Sequence, residues 1–303
     1  MHTLRTPDER FEGLPDFDFE PHYAEVPDGV GGTLRVHYLD EGPASAAPVL
    51  LLHGEPSWAY LYRHMIQPLV DAGHRVIVPD QVGFGRSDKP AEMTDYSYAR
   101  HVDWMSSLVF DCLDLGDITF FGQDWGGLIG LRLVTAQPDR FARVAISNTG
   151  LPTGDRRPSD AFMAWQKYSQ ESPVFPIGDI VNGGCLTDLS AEEVDAYNAP
   201  FPDDSYKAGA RIWPSFVCTS PDDPEAPANR EAWGLLEQFT KPFLCCFSDS
   251  DPVTQGADKP FRARVPGAQG QAHTTLKGAA HFVQEDSGPE LAAVLADFIA
   301  STS

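Results

Sequence analysis

The sequence predicts an α/β protein whose sheet is doubly wound and mostly parallel. Short apolar runs, typical of strands buried on both faces, alternate along the 303-residue chain with segments of helical pattern. Strands that alternate with helices in this way form a parallel sheet with helices on both faces. A tight, glycine-rich turn between one such strand and the next helix marks the carboxyl edge of the sheet as the candidate functional edge.

The predicted elements follow one another in a regular order. An alternating pattern at residues 33–39 predicts a strand at an antiparallel edge. Buried strands are expected at residues 49–52, 75–78, 118–121, 144–146 and 243–247, and a last strand at 273–276. Helices are expected at residues 60–72, 98–115 and 128–136, and a final helix at 289–300.

A different composition begins at residue 151. As far as residue 229 the chain is rich in proline and acidic residues, contains several aromatic residues and lacks apolar strand runs. Short helices are predicted there at residues 161–170 and 191–198. We therefore expect a helical cap domain at residues 151–229, inserted into a core domain that is formed by residues 1–150 and 230–303.

Composition argues against several classes of partner. The formal net charge is -22, so nucleic acid and anionic membranes are poor partners. No stretch approaches the ~20 apolar residues of a membrane span, and the polar first residues lack the apolar core of a signal peptide. The five cysteines are odd in number and lack the spacing of metal ligands. These features predict reduced thiols, a cytoplasmic protein and no bound metal.

The central motif is the hexapeptide GQDWGG at residues 122–127. An apolar strand leads into it and a helix leads out, which is the layout of a nucleophile elbow, a strained turn that exposes one reactive side chain. Glycines flank that side chain because only they let neighbouring backbone approach so closely. Asp124 occupies the reactive position in place of the usual serine. The plain alternative is an aspartate that caps the following helix.

An aspartate at the elbow indicates substitution at saturated carbon. A serine that attacked such a carbon would form an ether, which water does not cleave. A carboxylate forms an alkyl ester instead, and a second step can hydrolyse that ester. Asp124 therefore predicts a reaction on alkyl halides or epoxides, and argues against an esterase or a protease.

The second step needs a base and a carboxylate that orients it. His281 follows the last predicted strand, and the histidine of an elbow enzyme comes last in the chain; His53 belongs to the loop after an earlier strand and is interpreted as structural. Two positions can supply that carboxylate, the end of the strand after the elbow and the end of the strand after the cap. The first position is occupied by Asn148, which carries no charge. At that second position we favour Asp251 over Asp249, although either residue could instead shape the turn.

The leaving group needs donors of its own. A halide leaves without protonation and is best held by N–H groups in a dry pocket. Trp125 directly follows the nucleophile and can direct its indole N–H over the elbow. Trp165 in the cap is a candidate second donor, although tryptophan is more often a core residue.

Two loops near the elbow have different interpretations. The segment HGEPSW at residues 53–58 follows the first buried strand, where a backbone N–H can contribute to an oxyanion hole. The glycine-rich loop at residues 80–90 lacks the Gly-Lys-Ser/Thr ending of a phosphate-binding loop, so we interpret it as structural.

These residues carry a resemblance to the haloalkane dehalogenases of the α/β-hydrolase superfamily. The resemblance extends almost from end to end, through RTPD (residues 5–8), HYLDEG (37–42), HGEPSW (53–58), GFGRSDKP (83–90), QDWGG (123–127), APFPD (199–203) and HFVQE (281–285). It implies the α/β-hydrolase fold with an eight-stranded sheet and a helical cap. The implied activity is hydrolysis of haloalkanes to alcohol, halide and a proton through an alkyl ester on Asp124.

The resemblance also implies roles for individual residues. The catalytic acid would be Asp251 and the second halide donor Trp165, while the backbone N–H groups of Glu55 and Trp125 would form the oxyanion hole. The family uses no cofactor and no metal. We accordingly expect a monomer whose partners are a small haloalkane, water and the halide product. Between residues 165 and 191 the cap departs from the family, so the resemblance does not predict the substrate range.

Three other functions fit parts of the pattern. An epoxide hydrolase shares the Asp–His–Asp set but needs tyrosine donors from the cap, for which Tyr168, Tyr197 and Tyr206 are available. A fluoroacetate dehalogenase needs arginines near the elbow, and Arg132 lies two helical turns further on. A non-catalytic receptor on the same fold would have a pocket without turnover. The two tryptophans favour a haloalkane, and the epoxide hydrolase is kept as the alternative.

Overall fold

The computed structural model describes residues 1–302 and is built around an eight-stranded sheet. The strands, numbered along the chain, are β1 (His22–Pro27), β2 (Thr33–Glu41), β3 (Pro48–Leu52), β4 (Arg75–Pro79), β5 (Ile118–Gln123), β6 (Phe141–Ser147), β7 (Phe243–Ser248) and β8 (Thr274–Leu276). Their order across the sheet is β1-β2-β4-β3-β5-β6-β7-β8. The strand β2 is antiparallel to both of its neighbours, and the other neighbouring pairs are parallel. The predicted doubly wound, mostly parallel sheet is confirmed.

The helices alternate with these strands in the core and follow one another in the cap. They are α1 (Arg63–Asp71), α2 (Tyr98–Ser106), α3 (Trp125–Ala136), α4 (Asp160–Glu171), α5 (Ile177–Gly183), α6 (Ala191–Asn198), α7 (Ala208–Ile212), α8 (Ala226–Leu236), α9 (Asp258–Arg264) and α10 (Val283–Ser301). In residues 1–302, no helix combines the length and the apolar character that crossing a membrane requires.

Three helices differ from the sequence pattern at their ends. The helix predicted from residue 60 begins with a 3-10 turn, Ala59–Tyr62. The helix predicted to end at residue 115 changes at Ser107–Cys112 into a π-helical segment. The last helix begins at Val283 and bends at Ser287, where φ is -148°. Pro289 therefore lies in the first turn after the bend, where its missing N–H costs nothing, and this explains why the pattern predicted a helix start there.

The cap segment contains more helix than the sequence predicted. The structure has the two predicted helices, α4 and α6, and adds the shorter α5 and α7. Helix α8 crosses the predicted boundary at residue 229 and packs against α3 of the core, since Arg132 on α3 donates to Asn229 at 3.2 Å. Beyond that boundary, Trp233 donates to the carbonyl of Leu151, the first residue of the predicted cap, at 2.7 Å. The predicted end of the cap thus falls inside a helix, and the division into two domains stays a prediction.

Polar contacts join the cap segment to the rest of the chain. The hydroxyl of Thr6 donates to the carbonyl of Pro200 at 2.7 Å, and the indole N–H of Trp58 donates to the carbonyl of Ala196 at 3.2 Å. Arg63, which is buried at the start of α1, donates to Glu193 on α6 and to Glu285 on α10, at 2.8 Å in each case. The cap is therefore held at fixed points on the core.

Candidate active site

Asp124 lies in the turn between β5 and α3, with φ 50° and ψ -126°. A non-glycine residue adopts this conformation only under strain, which the surrounding structure must hold. Here the N–H of Asp124 donates to the carbonyl of Asn148 at 3.0 Å. The carbonyl of Asp124 accepts from the N–H of Leu128 at 3.1 Å and from the hydroxyl of Thr149 at 2.6 Å. The turn has the strand–elbow–helix layout that the motif predicted.

Two glycines allow this turn to pack under its neighbours. A Cβ atom at Gly126 would lie 1.8 Å from the carbonyl oxygen of Leu52 on β3, a distance that no side chain can tolerate. A Cβ atom at Gly54 would lie 2.4 Å from the Cβ atom of Asp124. These positions need glycine for close approach, as the sequence pattern indicated.

The carboxylate of Asp124 faces two backbone donors. The N–H of Glu55 donates to Oδ2 at 2.9 Å, and the adjacent N–H of Trp125 also favours the charged form of this carboxylate. Burial raises the pKa of Asp124, and it outweighs His281 and the two N–H groups, which act to lower that pKa. The second oxygen, Oδ1, lies 3.7 Å from Nε2 of His281.

His281 lies between two carboxylates. Its Nδ1 atom is 3.1 Å from Oδ2 of Asp251, on the side opposite to Asp124. Burial acts to lower the pKa of His281, but the charges of Asp251 and Asp124 outweigh it and raise that pKa to about 9. The imidazole of the resting protein is therefore mainly protonated at neutral pH.

The structure separates the two candidate acids. Asp251 is buried, and its carboxylate accepts from the N–H of Val253 at 2.8 Å and from the hydroxyl of Thr254. Burial alone would raise the pKa of Asp251, but the imidazole and these donors lower it. Asp249 instead accepts from the N–H of Gly278 at 3.0 Å and shapes the turn there. Only Asp251 of this pair is in hydrogen-bond contact with His281.

His53 has the structural position that was expected of it. Its buried ring contacts the carbonyl of Gly54 through Nδ1 at 2.8 Å, and Nε2 accepts from the N–H of Gln81 at 2.9 Å. Since both nitrogens are occupied, the ring fastens the loop after β3 to the loop after β4. The glycine-rich loop at 80–90 likewise packs on one of its own side chains, because buried Asp80 accepts from the N–H of Arg86 in the same loop at 2.7 Å.

Trp125 forms part of a stack of aromatic rings behind the elbow. Its ring is parallel to that of Trp213, with centroids 5.1 Å apart and an interplanar angle of 16°, and meets the edge of Tyr98 at 5.0 Å. These contacts fix the plane of the indole, whose residue also lines the cavity above Asp124. Sequence reasoning missed Trp213, since no local pattern relates it to Trp125.

Trp165 lines the same cavity from α4 and is half-buried. Its side chain lies beside that of Glu55 and acts to lower the pKa of that carboxyl group. Burial and the charge of Asp124 outweigh this contact and raise the pKa of Glu55 well above its usual range. The sequence argument used only the backbone of Glu55 and did not foresee its buried side chain beside the nucleophile.

The cavity over the elbow has a volume of about 460 Å³. Core and cap both contribute to its wall, which includes Asp124, Trp125, Phe162, Trp165, Ile180, Leu186, Pro214, Val253, His281 and Phe282. Among residues 1–302, none of the three cap tyrosines is part of this wall. Tyr197 bonds Glu285 instead, and Arg132 bonds Glu225 at 3.2 Å, so neither an epoxide donor nor a carboxylate-binding arginine faces the cavity.

Two buried amides hold the loop that carries His281. Gln123 donates to the carbonyl of His281 at 3.0 Å. Asn148 donates to the same carbonyl at 3.0 Å and to that of Ala280 at 2.8 Å. Asn148 therefore supports His281 through backbone contacts. It occupies the first of the two positions considered for the catalytic acid, where it was rejected because it carries no charge. The sequence feature that could have indicated this supporting role is a polar residue at the end of an otherwise apolar strand.

One cluster has the composition of a cation site. Ligand atoms of His64, Glu193 and Glu285 lie within 4.8 Å of one another. The guanidinium of Arg63 donates to both glutamates, however, and supplies the positive charge that the two carboxylates need. The cluster is thus an ion-pair network between core and cap.

The fold and the elbow define an α/β hydrolase. The sequence profile of the alpha/beta hydrolase fold matches residues 47–181. This profile ends within the cap segment, so residues 182–303 require comparison with individual proteins.

Three proteins are similar along nearly the whole chain. A haloalkane dehalogenase of Psychrobacter cryohalolentis is 60% identical over 299 residues, which cover 99% of this chain and 98% of that protein. A haloalkane dehalogenase of Mycolicibacterium paratuberculosis is 54% identical over 292 residues, 96% of each chain. The solved tetrameric structure of a haloalkane dehalogenase from Paraglaciecola agarilytica has a TM-score of 0.91 at 33% identity and 99% coverage of both chains. The chain belongs to the haloalkane dehalogenase family.

Membership confirms the resemblance that the motifs carried. The chain is an enzyme, a hydrolase of carbon–halide bonds, as predicted. The relationship does not favour the epoxide hydrolase or the non-catalytic receptor. The roles of the individual side chains follow from their geometry and not from family membership.

Proposed function

We propose that hydrolytic dehalogenation proceeds in two steps through a covalent ester on Asp124. The observation that carries this proposal is a carboxylate at the elbow whose Oδ2 accepts from the N–H of Glu55 at 2.9 Å, while Oδ1 lies 3.7 Å from Nε2 of His281. In the first step Oδ1 forms a bond to the halogen-bearing carbon, and the carbon–halogen bond breaks. The electron pair of that bond leaves with the halide, and no proton is needed.

In the second step water attacks the carbonyl carbon of the ester. Nε2 of His281 takes the proton of that water, and Asp251 stabilises the imidazolium that forms. The negative charge that develops on Oδ2 is held by the N–H groups of Glu55 and Trp125. The tetrahedral intermediate then expels the alkoxide, which takes a proton from the imidazolium and leaves as the alcohol. The carboxyl group that remains on Asp124 loses its proton to water, which restores the carboxylate and releases the one proton of the overall reaction.

The first step prepares the base for the second. The pKa of His281 is high in the resting protein partly because of the charge on Asp124. An ester carries no charge, so alkylation removes that contribution and lowers the pKa of the imidazole. The neutral form that can accept a proton from water is therefore favoured only after the ester has formed.

The two steps should differ in their response to pH. Alkylation needs ionised Asp124, so its rate constant should be constant near neutral pH and fall only in acid. Ester hydrolysis needs neutral His281, so its rate constant should rise with pH through a midpoint below about 9, the value in the resting protein. Rapid-quench measurement of both rate constants with 1,2-dibromoethane tests this. Identical pH profiles for the two steps would count against His281 as the base.

We propose that Trp125 and Trp165 hold the leaving halide. The plane of Trp125 is fixed by Trp213, and both candidate donors line the cavity. For Trp165 to donate to a halide, its N–H must face the anion in the cavity and not the neighbouring side chain of Glu55. The raised pKa of Glu55 favours its uncharged form, which repels a halide less than a carboxylate would.

Replacing either indole should weaken halide binding. Trp125→Phe and Trp165→Phe keep an aromatic ring but delete the N–H, and each should lower the rate of halide release by about 10²-fold. Halide release from 1,2-dibromoethane and quenching of tryptophan fluorescence by bromide measure the effect. Trp233→Phe is the matched control, since the indole of Trp233 bonds the carbonyl of Leu151 and Trp233 does not line the cavity. Unchanged bromide affinity in the Trp165 variant would exclude that residue as a donor.

We also propose a domain division, an oligomeric state and a cellular location for the chain. We retain a cap at residues 151–229 over a core of 1–150 and 230–303, supported by the contribution of both to the cavity wall. A net charge of -22 favours separate chains by mutual repulsion, which supports a monomer. All five cysteines are free, which supports a location in the reducing cytoplasm.

A further inference from the structure

Asp286, in the first turn of α10, connects two loops that meet at the cavity. Its carboxylate accepts from the N–H of Thr187 at 2.7 Å and from the N–H of Leu186 at 3.0 Å, both in the loop that follows α5 in the cap. Its other oxygen accepts from the N–H of Ala280 at 2.8 Å, in the loop after β8. One carboxylate thus satisfies backbone donors from cap and core.

Both of these loops form the wall of the cavity. The cap loop contributes Gly184 and Leu186, and the core loop contributes His281 and Phe282. The loops also touch directly, since the N–H of Phe282 donates to the carbonyl of Gly184 at 3.2 Å. A Cβ atom at residue 184 would lie 2.6 Å from the ring of Phe282, so the loops have no room to approach further.

The contact with Ala280 bears directly on the imidazole. Ala280 precedes His281 in the chain, and its N–H is held by Asp286 while its carbonyl is held by Asn148 at 2.8 Å. Loss of one of these anchors would let the peptide shift, and the ring would shift with it. Displacement of a reacting group by about 1 Å can lower a rate about 10²-fold.

We propose that Asp286 is a positioning residue for ester hydrolysis, which holds the His281 loop in register with the cap loop that carries Leu186. The inference depends on the proposed ester on Asp124 and on His281 as its base. Asp286 touches neither substrate nor ester, and it acts only through the backbone of the two loops. It therefore affects the second step, while attack by Asp124, which is positioned by the elbow, is independent of it.

The variant Asp286→Asn tests this role. An amide keeps one acceptor oxygen but presents an NH₂ group to at least one of the backbone N–H donors. With 1,2-dibromoethane, the rate constant of the first halide burst should stay within about twofold, while ester hydrolysis should slow roughly ten- to hundredfold. Intact mass should show that the alkyl-enzyme accumulates. Glu290→Gln, which changes an exposed carboxyl group on the same helix, should alter neither step.

A second readout uses the alkyl chain of the substrate. Leu186 is held by the same carboxylate and lines the cavity, so KM for 1-bromohexane should rise more than KM for 1,2-dibromoethane in Asp286→Asn. Equal slowing of both steps, or unchanged hydrolysis in a folded variant, would overturn the inference.

The inference is also testable in the unaltered protein. Hydrogen exchange should show that peptides covering residues 184–187 and 279–282 lose protection together, because one carboxylate anchors both. Independent exchange of the two peptides would overturn the inference even if Asp286→Asn fails to fold. Suppose that His281→Gln accumulates the alkyl adduct on Asp124 while Asp286→Asn has no effect. That result would overturn only the positioning role of Asp286. Absence of the adduct would overturn the proposed mechanism itself.

Discussion

Asp124→Gly should be inactive and at least as stable as the parent protein. Without the carboxylate no ester can form, and removal of a nucleophile typically lowers turnover by 10⁴-fold or more. Glycine is also free of the steric strain that aspartate has at φ 50° and ψ -126°, worth about 1–3 kcal/mol. The substitution therefore separates function from folding.

Electrostatics adds to the expected gain in stability. The pKa of Asp124 is raised by burial, so the charged form is disfavoured in the folded state relative to the unfolded state. A carboxyl group with a raised folded pKa lowers the free energy of unfolding once the pH exceeds its unfolded value. Removing it should raise the free energy of unfolding at neutral pH and raise Tm by a few degrees.

Halide release and thermal unfolding, measured on the same preparation, check both parts of this prediction. Asp249→Ala is the matched control, since Asp249 lies in a turn near the same edge and bonds Gly278 rather than His281. That control should retain halide release. Turnover by folded Asp124→Gly would remove Asp124 from the mechanism, and a lower Tm would show that the strain is outweighed by the lost hydrogen bonds.

His281→Gln should release about one halide per molecule of enzyme and then stop. Asp124 attacks carbon as a carboxylate and transfers no proton in doing so, so the first step does not need the imidazole as a base. Water can attack the ester only slowly when no group accepts its proton, and loss of such a base costs roughly 10²- to 10⁴-fold. A serine enzyme would behave differently, because its histidine activates the nucleophile itself.

The trapped ester can be located directly. After incubation with 1,2-dibromoethane, intact mass should increase by the bromoethyl group, and peptide mapping should place that group on Asp124. His22→Gln, a change on β1 at the far edge of the sheet, should turn over normally. A variant that gives neither the burst nor the adduct would contradict the two-step ester mechanism.

The sheet could be predicted because its determinants are local. Residues 118–121 and 243–247 are continuous apolar runs, and each became a strand buried on both faces. Asp124 could be proposed as the nucleophile because the glycines around it indicate a close approach of neighbouring backbone. Gly126 does lie against β3. The short helices α5 and α7 could not be predicted, since their stability depends on packing within the cap and not on a long periodic pattern.

The side-chain partners of the site required the tertiary structure. Asp249 and Asp251 occur in one turn, and no local pattern shows which of them faces His281. The approach of Trp165 to Glu55 in one cavity depends on how residues 151–229 lie over the elbow. Trp213 and Asp286 likewise act on residues distant in sequence, which only the assembled fold brings together.

The placement of Arg63 limits how this enzyme can be re-engineered. Caps are natural units to exchange between relatives, because the cap contributes much of the wall that surrounds the substrate. Arg63 remains with the core in such a chimaera, and so does Glu285, whereas Glu193 leaves with the cap. A donor cap without an acid at residue 193 would leave the buried guanidinium of Arg63 with Glu285 as its one remaining acid, which should destabilise the chimaera. Grafts should therefore be chosen first for that acid, and only then for the shape of their pocket.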